Sequence, residues 1–165
     1  ALKTSHPSIR RIDVESAAEM YRAAVEAYDH ADAAIMCAAV ADYAPETVSD
    51  VKLKRSGEER VLRLKPNPDI AAELGRRKRA GQYLVGFALE TNDEESNARS
   101  KMAKKNLDFI VLNSLRDAGA GFRCDTNKVT VIGREGEPVE IPCKLKTEVA
   151  ADIVDLLARC MNEGR

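Results

Sequence analysis

Residues 32–45 read DAAIMCAAVADYAP. The apolar centre, Ala33 to Val40, reads as a strand buried on both faces, the kind a parallel sheet requires. Ahead of it, Asp13 can cap a helix through Asp29, with Ala17, Met20, Tyr21, Ala24 and Val25 recurring at helical spacing. A helix leading into a buried strand is the first half of an α/β alternation. The alternation continues in YLVGFALE, with a buried strand from Tyr83 to Leu89, and in LDFIVLN, a third buried strand at 107–113. Between those two, Thr91 or Asn92 starts the helix DEESNARSKMAKKN, whose acidic-to-basic gradient complements its dipole. KVTVIG and VEIPCKL form a closing hairpin, and Val149, Ile153, Leu156, Leu157, Cys160 and Met161 mark a final helix. The expected fold is one α/β domain over 1–165, a three-layer Rossmann-like arrangement with a mostly parallel sheet.

One segment interrupts this pattern. In VKLKRSGEERVLRLKPNPDI (51–70), Val51 and Leu53, then Val61, Leu62 and Leu64, suggest two short strands around RSGEER, a hairpin lid insertion. Asn67 then reads as a helix cap, with Pro68 at the first helical position and Asp69 in the first turn. The free N–H groups of such a helix start suit an anion.

Composition narrows the function classes. A net charge of -1 gives no basic field for nucleic acid, and aromatics at 4% give no base-stacking platform. Cys37, Cys124, Cys143 and Cys160 show no paired spacing, and His6 and His30 lie far apart, so zinc has little support. Unpaired cysteines suit a reducing, cytoplasmic compartment, with Cys37 and Cys160 as core filler. The longest apolar run, Ala33 to Ala41, is too short to span a bilayer, and no secretory signal is visible.

Ligands in open α/β sheets collect at the carboxyl ends of strands, where Asp42, Glu90, Thr91 and Asn113 stand. Polar residues end most strands, so position alone decides little. Lys101 and Lys105 share a helical stripe; they are either solvated or bridged by an anion such as a triphosphate, and spacing alone favours solvation. RRKR (76–79) reads as a solvated helix terminus, and GAGF (119–122) as a flexible loop or a place for close backbone approach. No G-x-G-x-x-G follows a strand, which counts against nicotinamide binding.

The ordered segments AAVADY (38–43), KLKR (52–55), LKPNPDI (64–70), VGFALET (85–91), KNLDFIVLN (105–113) and GFRCDTNKVTVI (121–132) resemble bacterial phosphopantothenoylcysteine synthetase. The resemblance implies a ligase of coenzyme A biosynthesis that uses CTP with Mg²⁺, 4'-phosphopantothenate and L-cysteine through an acyl-cytidylate. By matching positions it implies nucleotide contacts from Met36, Cys37, Ala38, Asp42, Pro68, Asp69, Ile70, Ala71 and Phe87. It also implies that Lys52 closes over the triphosphate as the catalytic lysine, supported by Lys54 and Arg55, and that Lys101 and Lys105 bind phosphate. No metal ligand is assigned. A homodimer is expected, as is a fused decarboxylase domain in the native protein, with no flavin held by this chain. The family's leading strand, glycine-rich turn and helix do not appear ahead of Ala1, so the domain is expected to be N-terminally incomplete. The alternative expectation is therefore a non-catalytic α/β assembly or dimerisation module.

Overall fold

The computed structural model describes residues 4, 6–55, 57, 59–90, 93–114 and 124–163. Helix α1 (Ala17–Tyr28) leads into strand β1 (Ala33–Met36). A short antiparallel pair, β2 (Tyr43–Pro45) with β3 (Leu64–Pro66), precedes helix α2 (Ile70–Arg77). Strand β4 (Tyr83–Glu90), helix α3 (Glu94–Lys104), strands β5 (Phe109–Ser114), β6 (Thr126–Gly133) and β7 (Val139–Leu145), and helix α4 (Lys146–Glu163) complete the order.

The main sheet runs β1-β4-β5-β6-β7. Its first two pairings are parallel and its last two antiparallel, so only β6 opposes the common direction. Side chains alternate along each strand and separate two cores. Leu84, Ala88, Ile110, Leu112 and Ile132 pack under α1, α2 and α3, against residues such as Tyr28, Leu74 and Met102. Val85, Val111, Val129, Val131 and Ile141 pack against Val149, Ile153 and Leu157 of α4. Each fully buried aliphatic side chain contributes roughly 1.5–3 kcal/mol, so β4 and β5, used on both faces, anchor the fold. The expected three-layer α/β arrangement is present.

Several local expectations need correction. Helix α1 is capped by Ser16, not Asp13: Ser16 Oγ accepts from Glu19 N–H while the Glu19 carboxylate accepts from Ser16 N–H. That reciprocal pair satisfies two orphan donors, whereas Asp13 bonds Arg11 at 2.7 Å. Strand β1 is shorter than Ala33 to Val40 and lies at the sheet edge among the described residues, with Ile35 37% exposed. The chain turns out of the sheet at Cys37, which is exposed and not core filler. Thr91, Asn92 and GAGF lie outside the described residues; α3 begins after Asp93, which has φ 44° and no side-chain cap.

The lid hairpin pairs only at its base. Tyr43 to Pro45 faces Leu64 to Pro66, and Glu46 N–H donates to Arg63 O at 2.9 Å. Val51, Leu53, Val61 and Leu62 are exposed and belong to no strand. Their alternation is strand-like, but two strands with no core to cover are marginal in water. Among the described residues, ladder pairing is confined to the place where the arm meets the body.

The RRKR run is internally paired, not merely solvated. Glu73 accepts from Arg76 Nη2 at 2.7 Å and Arg77 Nε at 2.6 Å, which holds its carboxyl near pH 2. Lys78 donates to Asp108 at 2.7 and 2.8 Å and to Asn106 O at 2.8 Å. Asp108 also accepts from Leu84 N–H at 2.7 Å and pairs with Arg134 at 3.2 Å. One carboxylate thus ties the end of α2, the starts of β4 and β5, and the turn after β6. Burial, with the Asp108 charge as a second cause, pushes the Tyr28 hydroxyl up to about 12.

Lys78 and Asp108 side chains are only 10% and 18% exposed. Removing the acid leaves a largely buried ammonium without its partner, so Asp108→Ala is expected to lower stability by about 3 kcal/mol. Urea unfolding at neutral pH measures this; a loss below about 0.5 kcal/mol contradicts the central role of Asp108.

Candidate functional site

A crevice opens because neighbouring parallel strands have unequal lengths. Met36 is the last β1 residue and pairs with Gly86, while β4 continues to Glu90 beside β5. The chain leaving β1 therefore diverges from β4 at its carboxyl end, where α/β sheets place ligands. Asn67 fixes the opposite wall: its N–H donates to Asp42 O at 2.8 Å and its Nδ2 to Ala41 O at 2.9 Å. The 41–42 segment is thereby held against the start of α2.

The resulting cleft has a volume of about 190 Å³. Met36, Ala38, Asp42, Pro68, Asp69, Ile70, Ala71, Phe87, Lys101 and Lys105 all line it. The family resemblance implies a site role for each of these. Cys37 and Lys52 do not line it; Cys37 is exposed just beyond β1, and Lys52 is exposed on the arm. Lys54 and Arg55 are likewise exposed on the arm.

Val40, Ala41, Asn67, Gly86, Leu107 and Ile110 also line the cleft and were missed as site residues. Gly86 carried a usable signal, because an isolated glycine inside a strand marks close approach. A Cβ there would lie 2.6 Å from Leu107 Cδ1. Asn67 is not the helix cap that its place in the sequence suggests. The cap is instead Asp69, whose Oδ1 accepts from Ala72 N–H at 3.0 Å, which moves Pro68 outside the helix. Asn67 is spent holding the 41–42 segment.

This cap changes the electrostatics. The first-turn N–H of Ala72 is already satisfied by a carboxylate, so the helix start is not an empty anion hole. Lys105 Nζ pairs with Asp69 at 2.9 Å, and Lys101 Nζ with Glu90 at 2.5 Å. The two ammonium groups four residues apart are neither bare nor bridged by one anion; each has its own carboxylate. Asp42, Asp69, Lys101 and Lys105 give the lining balanced charge. An incoming polyanion must displace Asp69 and Glu90 from the lysines or share them.

A larger cavity of about 400 Å³ lies at the amino ends of β1 and β4, lined by His30, Asp32, Arg79, Gln82, Tyr83 and Met161 among others. Size favours it, but Gln82 is committed to the carbonyls of Tyr28 and Ala31, and Arg79 to that of Asp29. The smaller cleft combines the strand ends, a helix start and two lysines, and is the stronger candidate. No group of three or more His, Cys, Asp or Glu placed to hold a metal occurs among the described residues.

Burial would raise the Asp69 carboxyl, but hydrogen bonds from Lys105 and Ala72 N–H outweigh it and hold the group below its ordinary 3.8. A lowered folded-state pKa stabilises above the unfolded value, and that contribution is lost as pH falls through the folded one. Asp69→Asn is therefore expected to flatten the acid limb of the urea midpoint below pH 3.8. An unchanged acid limb in the variant contradicts this pairing.

The family described as DNA/pantothenate metabolism flavoprotein C-terminal domain matches residues 1–161. A protein named Cysteine/Cysteine sulfinic acid decarboxylase, from an unknown prokaryotic organism, is 55% identical over 93% of the chain. The Coenzyme A biosynthesis bifunctional protein CoaBC of Bacillus subtilis is 46% identical over 89% of it. The chain spans 43% and 36% of these relatives' own lengths. Among solved structures, the C-terminal domain of a CoaBC protein is similar with TM-score 0.74 and 35% identity, covering 92% of this chain and 66% of that one. A Streptococcus pneumoniae protein described by the same flavoprotein name shares the fold, with TM-score 0.69 at 21% identity over 96% of this chain and 75% of that one. The match along nearly the whole length, with the same architecture in a solved relative, places this chain in the DNA/pantothenate metabolism flavoprotein C-terminal domain family.

Proposed function

We propose that the chain is the ligase part of a coenzyme A biosynthesis enzyme, joining 4'-phosphopantothenate to L-cysteine at the expense of CTP. The pantothenate carboxylate attacks the α-phosphate, forming an acyl-cytidylate and releasing pyrophosphate. The cysteine amine then attacks the acyl carbon, loses a proton and expels CMP, leaving the amide. The observation that carries the reading is convergence. Residues from Met36 to Lys105 that match the synthetase motifs meet at one cleft, at the strand ends where the fold class binds ligands.

In this reading Asp42 and the 68–71 segment hold the nucleoside, Phe87 packs on it, and Lys101 and Lys105 turn from their carboxylates to the phosphates. The balanced lining charge favours a triphosphate that arrives with Mg²⁺ as part of the substrate. The cleft is smaller than the ~300–1,000 Å³ of drug-sized ligand sites, so a whole nucleotide reaches out of it toward the arm. Lys52 acts only if the arm brings it over the phosphates. A homodimer, a decarboxylase unit on the native polypeptide and a cytoplasmic setting belong to the same proposal. No helix among the described residues is long and apolar enough to cross a membrane.

The name of the 55%-identical relative favours a second reading, in which the native protein decarboxylates cysteine or its sulfinate. A third is an assembly module without activity. Incubation of the full native protein with CTP, Mg²⁺, 4'-phosphopantothenate and cysteine, and in parallel with cysteine sulfinate alone, separates them. The expected result is stoichiometric CMP and amide; carbon dioxide from cysteine sulfinate without CMP supports the second reading, and neither product supports the third.

Loss of a charge-assisted contact costs roughly 1.5–3 kcal/mol, so Lys101→Ala and Lys105→Ala are each expected to weaken CTP binding by about tenfold or more in calorimetry. Equal heats for both variants and the parent chain remove the phosphate role. Lys52→Ala in the native protein is expected to abolish acyl-cytidylate formation while leaving the fold intact, and near-normal turnover rejects it as catalytic.

A further inference from the structure

Lys105 is fixed at both ends by α2. Its backbone carbonyl meets the helix at Gly75, where an added Cβ would lie 1.9 Å from Lys105 O and 2.8 Å from Lys105 C. Its ammonium meets the same helix at the Asp69 cap. The lysine thus runs along α2 from its last turns back to its start, delivering the charge to the cleft.

The backbone end is held by Asn106. This residue has φ 53°, a left-handed conformation that costs a non-glycine residue energy. Its Nδ2 donates to Gly75 O at 2.7 Å, its Oδ1 accepts from Arg134 Nη2 at 2.5 Å, and its backbone O accepts from Lys78 Nζ at 2.8 Å. Those contacts offset the strain and pin the end of α3 onto α2. Neither Gly75 nor Asn106 lines the cleft.

We propose that Gly75 and Asn106 are positioning residues for Lys105: the close helix contact at Gly75, locked by the Asn106 amide, sets how far the ammonium reaches along α2 into the cleft. Gly75 is required because any side chain there drives the helices apart, and Asn106 because it combines a left-handed backbone with a donor to the Gly75 carbonyl. The consequence for nucleotide binding rests on the proposed function; the consequence for the Lys105–Asp69 pair does not.

Asn106→Gly removes the amide while keeping a residue that adopts positive φ freely, so it is the informative variant, with Gly75→Ala as the steric counterpart. Two readouts are taken on the full chain, with amide NMR spectra confirming the fold. The first is the titration of the Asp69 carboxyl by carbon-detected NMR, expected to move up toward its ordinary value in Asn106→Gly. The second is calorimetry with CTP and Mg²⁺ in a cycle with Lys105→Ala. Asn106→Gly is expected to weaken binding about fivefold in the parent and to have no further effect when Lys105 is already absent. A parent-like Asp69 titration in folded Asn106→Gly overturns the proposal, as does an undiminished effect of Asn106→Gly in the Lys105→Ala background. If the parent chain binds no CTP, the nucleotide reading fails, and the Asp69 titration alone decides the positioning claim.

Discussion

Strand β1 gives up its partner early. Pairing with β4 ends at Met36 and Gly86, and β4 runs four residues further with only β5 beside it among the described residues. The cleft, the exposure of Cys37, and the run of the chain across to Asn67 all depend on that departure. Had β1 extended to Val40, as its uniform apolar character suggests, the space lined by Ala38, Asp42 and Phe87 would be filled by another stretch of ladder. Asn67 stabilises the divergence by donating its N–H and its side-chain amide to the carbonyl groups of Asp42 and Ala41, which the sheet no longer satisfies.

The charge arrangement follows from the same geometry. Asp69 serves both as helix cap and as counter-ion of Lys105, and Glu90, at the last position of β4, serves Lys101. A cleft with internal counter-ions is stable without a ligand, because no cluster of like charges must be held together. It also resists weakly charged competitors, which cannot replace a carboxylate already in contact. Any polyanion that enters must do so by exchange of partners, because the cleft offers no open positive field.

Much of this was legible in the residues. The doubly buried strands YLVGFALE and LDFIVLN required helices on both sides, and they have them. The family resemblance covers most of the cleft lining, because those residues lie on, or just beyond the ends of, β1, α2, β4 and α3, close to one another in the motifs. The failures have physical causes. Asn67 and Asp69 are both good caps, and local preference cannot say which has a tertiary partner waiting. The arm's alternating Val and Leu looked like strands, yet alternation signals a strand only when something covers one face. Asp108 and Asn106 were invisible as organisers, since their partners, Lys78, Leu84, Gly75 and Arg134, come together only in the fold.

The short β2–β3 ladder has a further meaning in terms of chain entropy. Its hydrogen bonds, with those of Asn67, close the ends of the 46–63 segment whatever lies between them. Closing a flexible loop costs only about 0.6 kcal/mol more for each doubling of its length. The length and composition of the arm are therefore nearly decoupled from the stability of the cleft, and the arm can vary while the cleft keeps its shape.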